Sequence, residues 1–190
     1  PEDVDRELVL GLESAAPNFD VILVSDQAET SQGGVVTAGM RAALERIASA
    51  QPDTVIWVDS RMRAELFRRV IVKPNREEAG AACLRALGTV DYAALRRHLE
   101  APLLVVTHGG DGAESIDGVG STWVPTRRVE HPVDICGAGD SFSAGAALAL
   151  KVTRDPLAAV RFGNIVASIT IMRKGTGTAS PQELLAYPPA

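Results

Sequence analysis

The chain has 190 residues, 46% hydrophobic and 23% charged, enough to bury one core of its own and ordinary for a single globular domain. A formal net charge of −5 gives no basic footprint for nucleic acid or anionic lipid, and no apolar run approaches the roughly 20 residues that span a bilayer. Aromatics make up only 4%, so Val, Ile, Leu and Ala must build the core. The opening PEDVDRELVL carries five charges and does not read as a secretory leader. Cys83 and Cys136 form no pattern, which predicts reduced thiols in a cytoplasmic protein. His98, His108 and His131 lack metal-ligand spacing and are expected on the surface or in loops.

In chain order, DVILVS (Asp20 to Ser25) is an unbroken apolar run and predicts a strand buried on both faces. Val35 to Ala50 predicts a helix, and TVIWVDS (Thr54 to Ser60) a second buried strand. RAELFRR predicts a short helix, VIVKPN a short strand, and Glu77 to Leu87 a helix opening after Asn75. DYAALRRHLE predicts another helix, and PLLVVT (Pro102 to Thr107) another strand. Strands alternating with helices require crossover connections, hence a parallel sheet covered on both faces. After Thr107 the rhythm changes: GGDG is a turn, and AESIDGVGSTWVP predicts an antiparallel hairpin or edge. Helices at Asp140 to Lys151 and Pro156 to Arg173 follow. The expected fold is three-layer α/β/α with a mostly parallel sheet and an antiparallel edge. Ligands then belong at the carboxyl ends of the strands.

One stretch, DICGAGDSFSAGAALAL (Asp134 to Leu150), sets two glycines between two aspartates ahead of an apolar helix. It is not a dinucleotide fingerprint, because Phe142 stands where GxGxxG needs its third glycine, and the chain has no GxxxxGK[ST]. That absence weighs against a nicotinamide-dependent oxidoreductase. Two readings remain level on this stretch alone. Asp140 is a helix cap or first-turn residue worth about 1 kcal/mol, or the amides of Gly137, Ala138, Gly139 and Asp140 form an anion site at a helix N-terminus. Capping explains neither the paired glycines nor Asp134.

The same stretch resembles the D-[TV]-x-G-A-G-D signature of the ribokinase-like (PfkB) carbohydrate kinases. Three further segments match that family in order. KPNREE supplies N-x-x-E as Asn75 and Glu78, VVTHGGDG supplies V-T-x-G-x-x-G through Thr107, Gly109 and Gly112, and FGNIVASITIMRKGTGTASP resembles the adenine-side helix and loop with Asn164. The match runs from about Asp20 to Leu185. N-x-x-E alone is a weak signal; the segment around Asp140 is a specific one.

The resemblance implies transfer of the γ-phosphate of ATP to a hydroxyl of a sugar or sugar phosphate. It assigns Asp140 as base, with Gly137, Ala138 and Gly139 completing the anion hole. Asn75 and Glu78 would position magnesium, largely through water. Thr107, Gly109 and Gly112 would line the nucleotide phosphates and ribose, with Asn164 on the adenine side. Asp134 and the Gly175 to Ser180 loop would hold a monovalent cation such as potassium. Lys73 and Lys174 could neutralise phosphate, though exposed lysines are the expectation.

The strand VILVSDQAE and tail KGTGTASPQEL are most similar to the heptose phosphate kinase branch. That branch carries SDY-G-KG where this chain reads SDQAETSQGG, so Asp26 is the acceptor contact that survives. Ile135 stands where Thr is common. Relatives carry an N-terminal portion with a G-G-N-type sugar motif and a small β-lid, and relatives often dimerise through that lid. Residues 1–190 are therefore expected to be the C-terminal part of one kinase domain, with the lid absent and a homodimer left open. The competing reading is a non-catalytic nucleotide-binding or assembly module of the same fold.

Overall fold

The computed structural model describes residues 2–30 and 33–187. Six strands form one sheet in sequential order: β1 (Val21–Asp26), β2 (Val55–Ser60), β3 (Ile71–Val72), β4 (Leu104–Thr107), β5 (Gly112–Ile116) and β6 (Ser121–Pro125). The first four are parallel, and β5 and β6 add an antiparallel hairpin at the edge. That is the mostly parallel sheet with an antiparallel edge that the rhythm of apolar runs required. Asp117 shapes the hairpin turn, its Oδ1 accepting from the amides of Val119 and Gly120.

Side chains alternate across the sheet. Ile56, Val58, Val72, Leu104 and Val106 enter one apolar core with α2 (Ala38–Ala50), α3 (Arg76–Leu87) and α4 (Tyr92–His98). Trp57, Ile71, Leu103 and Val105 enter a second core with α5 (Ala138–Thr153) and α6 (Pro156–Thr170). Burial on both faces is why these strands read as continuous apolar runs. The two helices of the second core meet through glycine. A Cβ on Gly145 would stand 2.6 Å from Val166 Cγ2, and one on Gly163 3.0 Å from Phe142 and Ala146.

Several boundaries differ from the sequence reading. The residues before Asp20 form helix α1 (Glu2–Ala15), which buries none of its own side chains and was not expected. It lies against α2 through Thr37 Oγ1, which donates to Asp5, and Arg46, which donates to Glu13. α2 starts at Ala38 because Thr37 caps it, accepting from Met40 N at 3.1 Å. RAELFRR forms only a 3-10 turn at Ala64–Leu66, because the chain must bury Phe67 and swing through a positive φ of 61° at Arg69 to enter β3. α6 ends at Thr170, short of the expected Arg173. A further helix, α7 (Pro181–Ala186), carries a reciprocal cap between Ser180 and Glu183. Among the described residues no helix is long and apolar enough to cross a membrane.

Candidate functional site

Four parallel strands end on one rim of the sheet, where Asp26, Asp59, Ser60 and Thr107 are the last residues of β1, β2 and β4. α5 opens above that rim. Its N-cap is Gly137 at φ 77°, a left-handed conformation that favours glycine. A Cβ there would also come within 3.2 Å of Thr176 Cγ2. At Gly139 the nearest atoms to an added Cβ are 3.7 Å away, so protein packing does not demand this glycine. Open space beside its amide is the remaining physical reason for it.

The helix cap belongs to Gly137, and Asp140 takes the first-turn position. Ala138 N donates to Ile135 O at 3.2 Å, so that amide closes the turn and does not join the expected anion hole. The amides of Gly137, Gly139 and Asp140 have no acceptor among the described residues. The Asp140 carboxylate is exposed and likewise has no partner among them. Three free N–H groups at the positive end of a 16-residue helix favour an anion.

Two hollows flank this turn. One, about 400 Å³, is walled by Thr107, Gly109, Gly112, Ala138, Gly139 and Asn164, with Phe142 below. The other, about 530 Å³, is walled by Gly137, Asp140, Ser141, Gly145, Leu148 and Thr176. Thr107, the glycines and Asn164 therefore share one compartment, while Asp140 fronts the other. A larger hollow of about 600 Å³ lies at the opposite, amino ends of β2 and β3, and its Arg69, Lys151 and Arg154 are all ion-paired. It is remote from the free amides.

Other expected site residues carry local structural duties. Gly112 adopts φ 121°, and a Cβ there would stand 2.4 Å from Val124 O, so hairpin packing requires glycine. Asn164 is buried, with its Nδ2 3.4 Å from Pro125 O, tying α6 to the end of β6. Asn75 and Glu78 form a capping box on α3: Asn75 N donates to Glu78 Oε2 at 2.7 Å, and Glu78 N to Asn75 Oδ1 at 2.9 Å. Burial pushes the Glu78 carboxyl up, opposed by that amide, with Asp59 nearby adding to the rise. Asp134 Oδ1 accepts from Cys136 N at 2.9 Å and Oδ2 from Gly175 N at 3.0 Å. These bonds hold its carboxyl below the usual range and fasten the turn to the 174–180 loop.

Asp26 is 2% exposed, and both its oxygens are occupied. Arg63 donates to them through Nε and a terminal nitrogen, and Ser60 Oγ donates at 2.8 Å. It is thus a buried ion-pair carboxylate at the end of β1. The heptose-type stretch beside it includes residues 31 and 32, which lie outside the described residues.

The rim also carries an ion pair that the sequence reading did not bring together. Lys73, expected to be exposed, is 3% exposed, and its Nζ stands 2.8 Å from Asp59 Oδ2. Both groups lie 3.7 Å from the Cβ position of Gly139. The signal was available: Lys73 directly follows an apolar strand, at the end where such sheets gather their polar groups.

Solved structures share this fold. The chain superposes on a fructokinase with bound ATP from Xylella fastidiosa at a TM-score of 0.74 and 20% identity, covering 92% of this chain and 62% of that one. It superposes on phosphofructokinase-2 from Escherichia coli in complex with potassium at 0.71 and 23%, covering 94% and 60%. The fold is ribokinase-like. Residues 7–183 match the pfkB family carbohydrate kinases, and the chain belongs to that family. It is also 29% identical to the bifunctional protein HldE of Pelobacter propionicus, over 96% of this chain and 38% of the relative. The chain therefore spans about two-fifths of the curated relatives it matches.

Proposed function

We propose that the protein carrying this chain transfers the γ-phosphoryl group of ATP to a hydroxyl of a sugar phosphate, a heptose phosphate ranking first among acceptors. The observation that carries the reading is the turn at Gly137: three unused amides beside an unpartnered carboxylate, at the boundary of two hollows. One hollow is suited to the nucleotide and the other receives the face of Asp140.

The residues present fit a nucleotide phosphate and its magnesium. Free amides provide the anion cradle, and Glu78 keeps one carboxylate oxygen outside its capping bond. No group of three metal-ligating side chains occurs among the described residues. Magnesium takes one or two carboxylates and completes its shell with phosphate oxygens and water. When bound, the metal nucleotide supplies the phosphoryl group and screens its charge. The Gly139 and Asp140 amides hold the phosphoryl oxygens in place. Asp140 accepts the proton of the attacking hydroxyl, its position in a rigid helical turn fixing the carboxylate. Phe142 and Ala146 anchor that turn in the second core.

Support for the acceptor comes from the similarity to the bifunctional protein HldE and from the heptose-type resemblance of VILVSDQAE. A monovalent cation at Asp134 would add positive charge beside the same cradle. The test is a panel of sugars and sugar phosphates assayed for ADP release with the intact protein and magnesium ATP. Release dependent on a sugar phosphate is the expected result. Nucleotide binding with no turnover on any acceptor would instead support the non-catalytic module.

A further inference from the structure

We infer that Arg127 sets the choice of nucleotide: its guanidinium stacks on the base of the bound nucleoside triphosphate and favours a purine over a pyrimidine. The inference rests on the kinase reading above and adds a residue to it that no motif of the sequence supplied.

The hollow of about 400 Å³ beside the free amides is the starting point. Among the described residues that wall it, Arg127 alone carries a charge, and it stands on the stretch joining β6 to α5. Its neighbour Arg128 faces Asp111, with Nη1 3.8 Å from Oδ1. Arg127 is exposed and has no hydrogen bond or ion pair among the described residues. Many arginines sit free in solvent, but this one borders a hollow whose other walls include Val129, Ile135, Ala167 and Ile171. A planar cation over an apolar slot suits the face of an aromatic ring.

Topology decides which part of the nucleotide meets it. Gly139, with its free amide, lies against Asp59 and Lys73, at the ends of β2 and β3. β5 runs back from that rim and β6 returns to it, Gly112 pairing with Pro125, so Arg127 leaves the rim beyond β6. From β3 to β6 is three strand spacings, about 14 Å. A triphosphate tail held at the amides is shorter than that span, which places the base, not the phosphates, at Arg127. Asn164 spends its side-chain nitrogen on Pro125 O at 3.4 Å, so that donor is not what holds the base. The base then lies between Ala167 near the end of α6 and the 127–129 stretch.

A cation on a ring face is worth about threefold to thirtyfold in affinity. The gain grows with the ring area covered, so a two-ring purine takes more of it than a one-ring pyrimidine.

The test is isothermal titration of the intact protein and its Arg127→Ala variant with ATP, AMP and CTP, magnesium present. The variant should melt with the unaltered protein, because the side chain it removes is exposed and unpartnered among the described residues. ATP and AMP should weaken by the same factor, about threefold to thirtyfold, and the preference for ATP over CTP should fall by about threefold or more. A loss that grows from AMP to ATP would assign Arg127 to the phosphates and overturn the inference. Unchanged binding of both, or an unaltered protein that prefers neither ATP nor CTP, overturns it too, and all these results leave the kinase reading standing. Should the unaltered protein bind no nucleotide, the kinase reading fails and this inference fails with it.

Discussion

Asp26 separates two accounts of the β1 rim, and its substitution gives a large, measurable effect. In the structure Asp26 and Arg63 are 2% and 4% exposed at their side chains, joined by two hydrogen bonds and supported by Ser60. Arg63 also donates to Gly33 O at 3.0 Å, which pins the loop leaving β1. Asp26→Ala leaves that guanidinium buried without its counter-charge, which costs about 3–5 kcal/mol. A domain of this length loses about 2–4 °C of melting temperature per kcal/mol, so Tm should fall by about 6–20 °C. Replacing both partners, Asp26→Leu with Arg63→Met, removes the orphan charge and should recover most of the loss. Thermal unfolding followed by circular dichroism reads both variants. A single variant melting within about 2 °C of the unaltered protein, with only its acceptor KM raised, would refute the structural pairing and return Asp26 to the sugar.

Other consequences concern packing and pH. Gly145→Ala forces a methyl to 2.6 Å from Val166 Cγ2 and should destabilise by about 1–3 kcal/mol in chemical denaturation. Gly80→Ala, mid-helix in α3 with nothing within 4 Å, should instead stabilise by about 0.5–1 kcal/mol. Ser180 and Arg173 depress the Glu183 carboxyl from 4.5 to about 2, so its contribution is present above 4.5 and lost as pH falls toward 2. Protection of the α7 amides, taken as the ratio of intrinsic to observed hydrogen exchange at each pH, should therefore fall across that window, and Glu183→Gln should leave that ratio independent of pH there.

Most of the sheet was legible because strands buried on both faces leave unbroken aliphatic runs, as in VIWV; β1, expected from VILVS to be buried on both faces, is instead an edge strand with Leu23 half exposed. The antiparallel hairpin was legible through its turn residues. Helix α1 was overlooked although Val9 and Leu12 are half-buried on one face and Leu12 packs on the first core; the charges of its opening turn drew the reading away from that face. α7 was overlooked although Ser180, Pro181 and Glu183 spell a capping box. The 3-10 turn at Ala64 was misread as a helix because Phe67 and Glu65 are buried by tertiary contacts that no local pattern encodes. At the site, the signature around Asp140 located the turn, yet sequence could not tell which amides the fold consumes. Ile135 O takes that of Ala138. Nor could it show Lys73 and Asp59 meeting, since they come from neighbouring strands 14 positions apart and one of them looked like a solvated lysine.

The claim at the centre is that Asp140 removes a proton while the adjoining amides hold the phosphoryl group. Isothermal titration and steady-state turnover of Asp140→Asn, run beside the unaltered intact protein, test it together. Magnesium ATP affinity should stay within about threefold while acceptor-dependent ADP release falls by about two to four orders of magnitude. Turnover retained at the unaltered rate, with the same nucleotide affinity, would contradict the assignment.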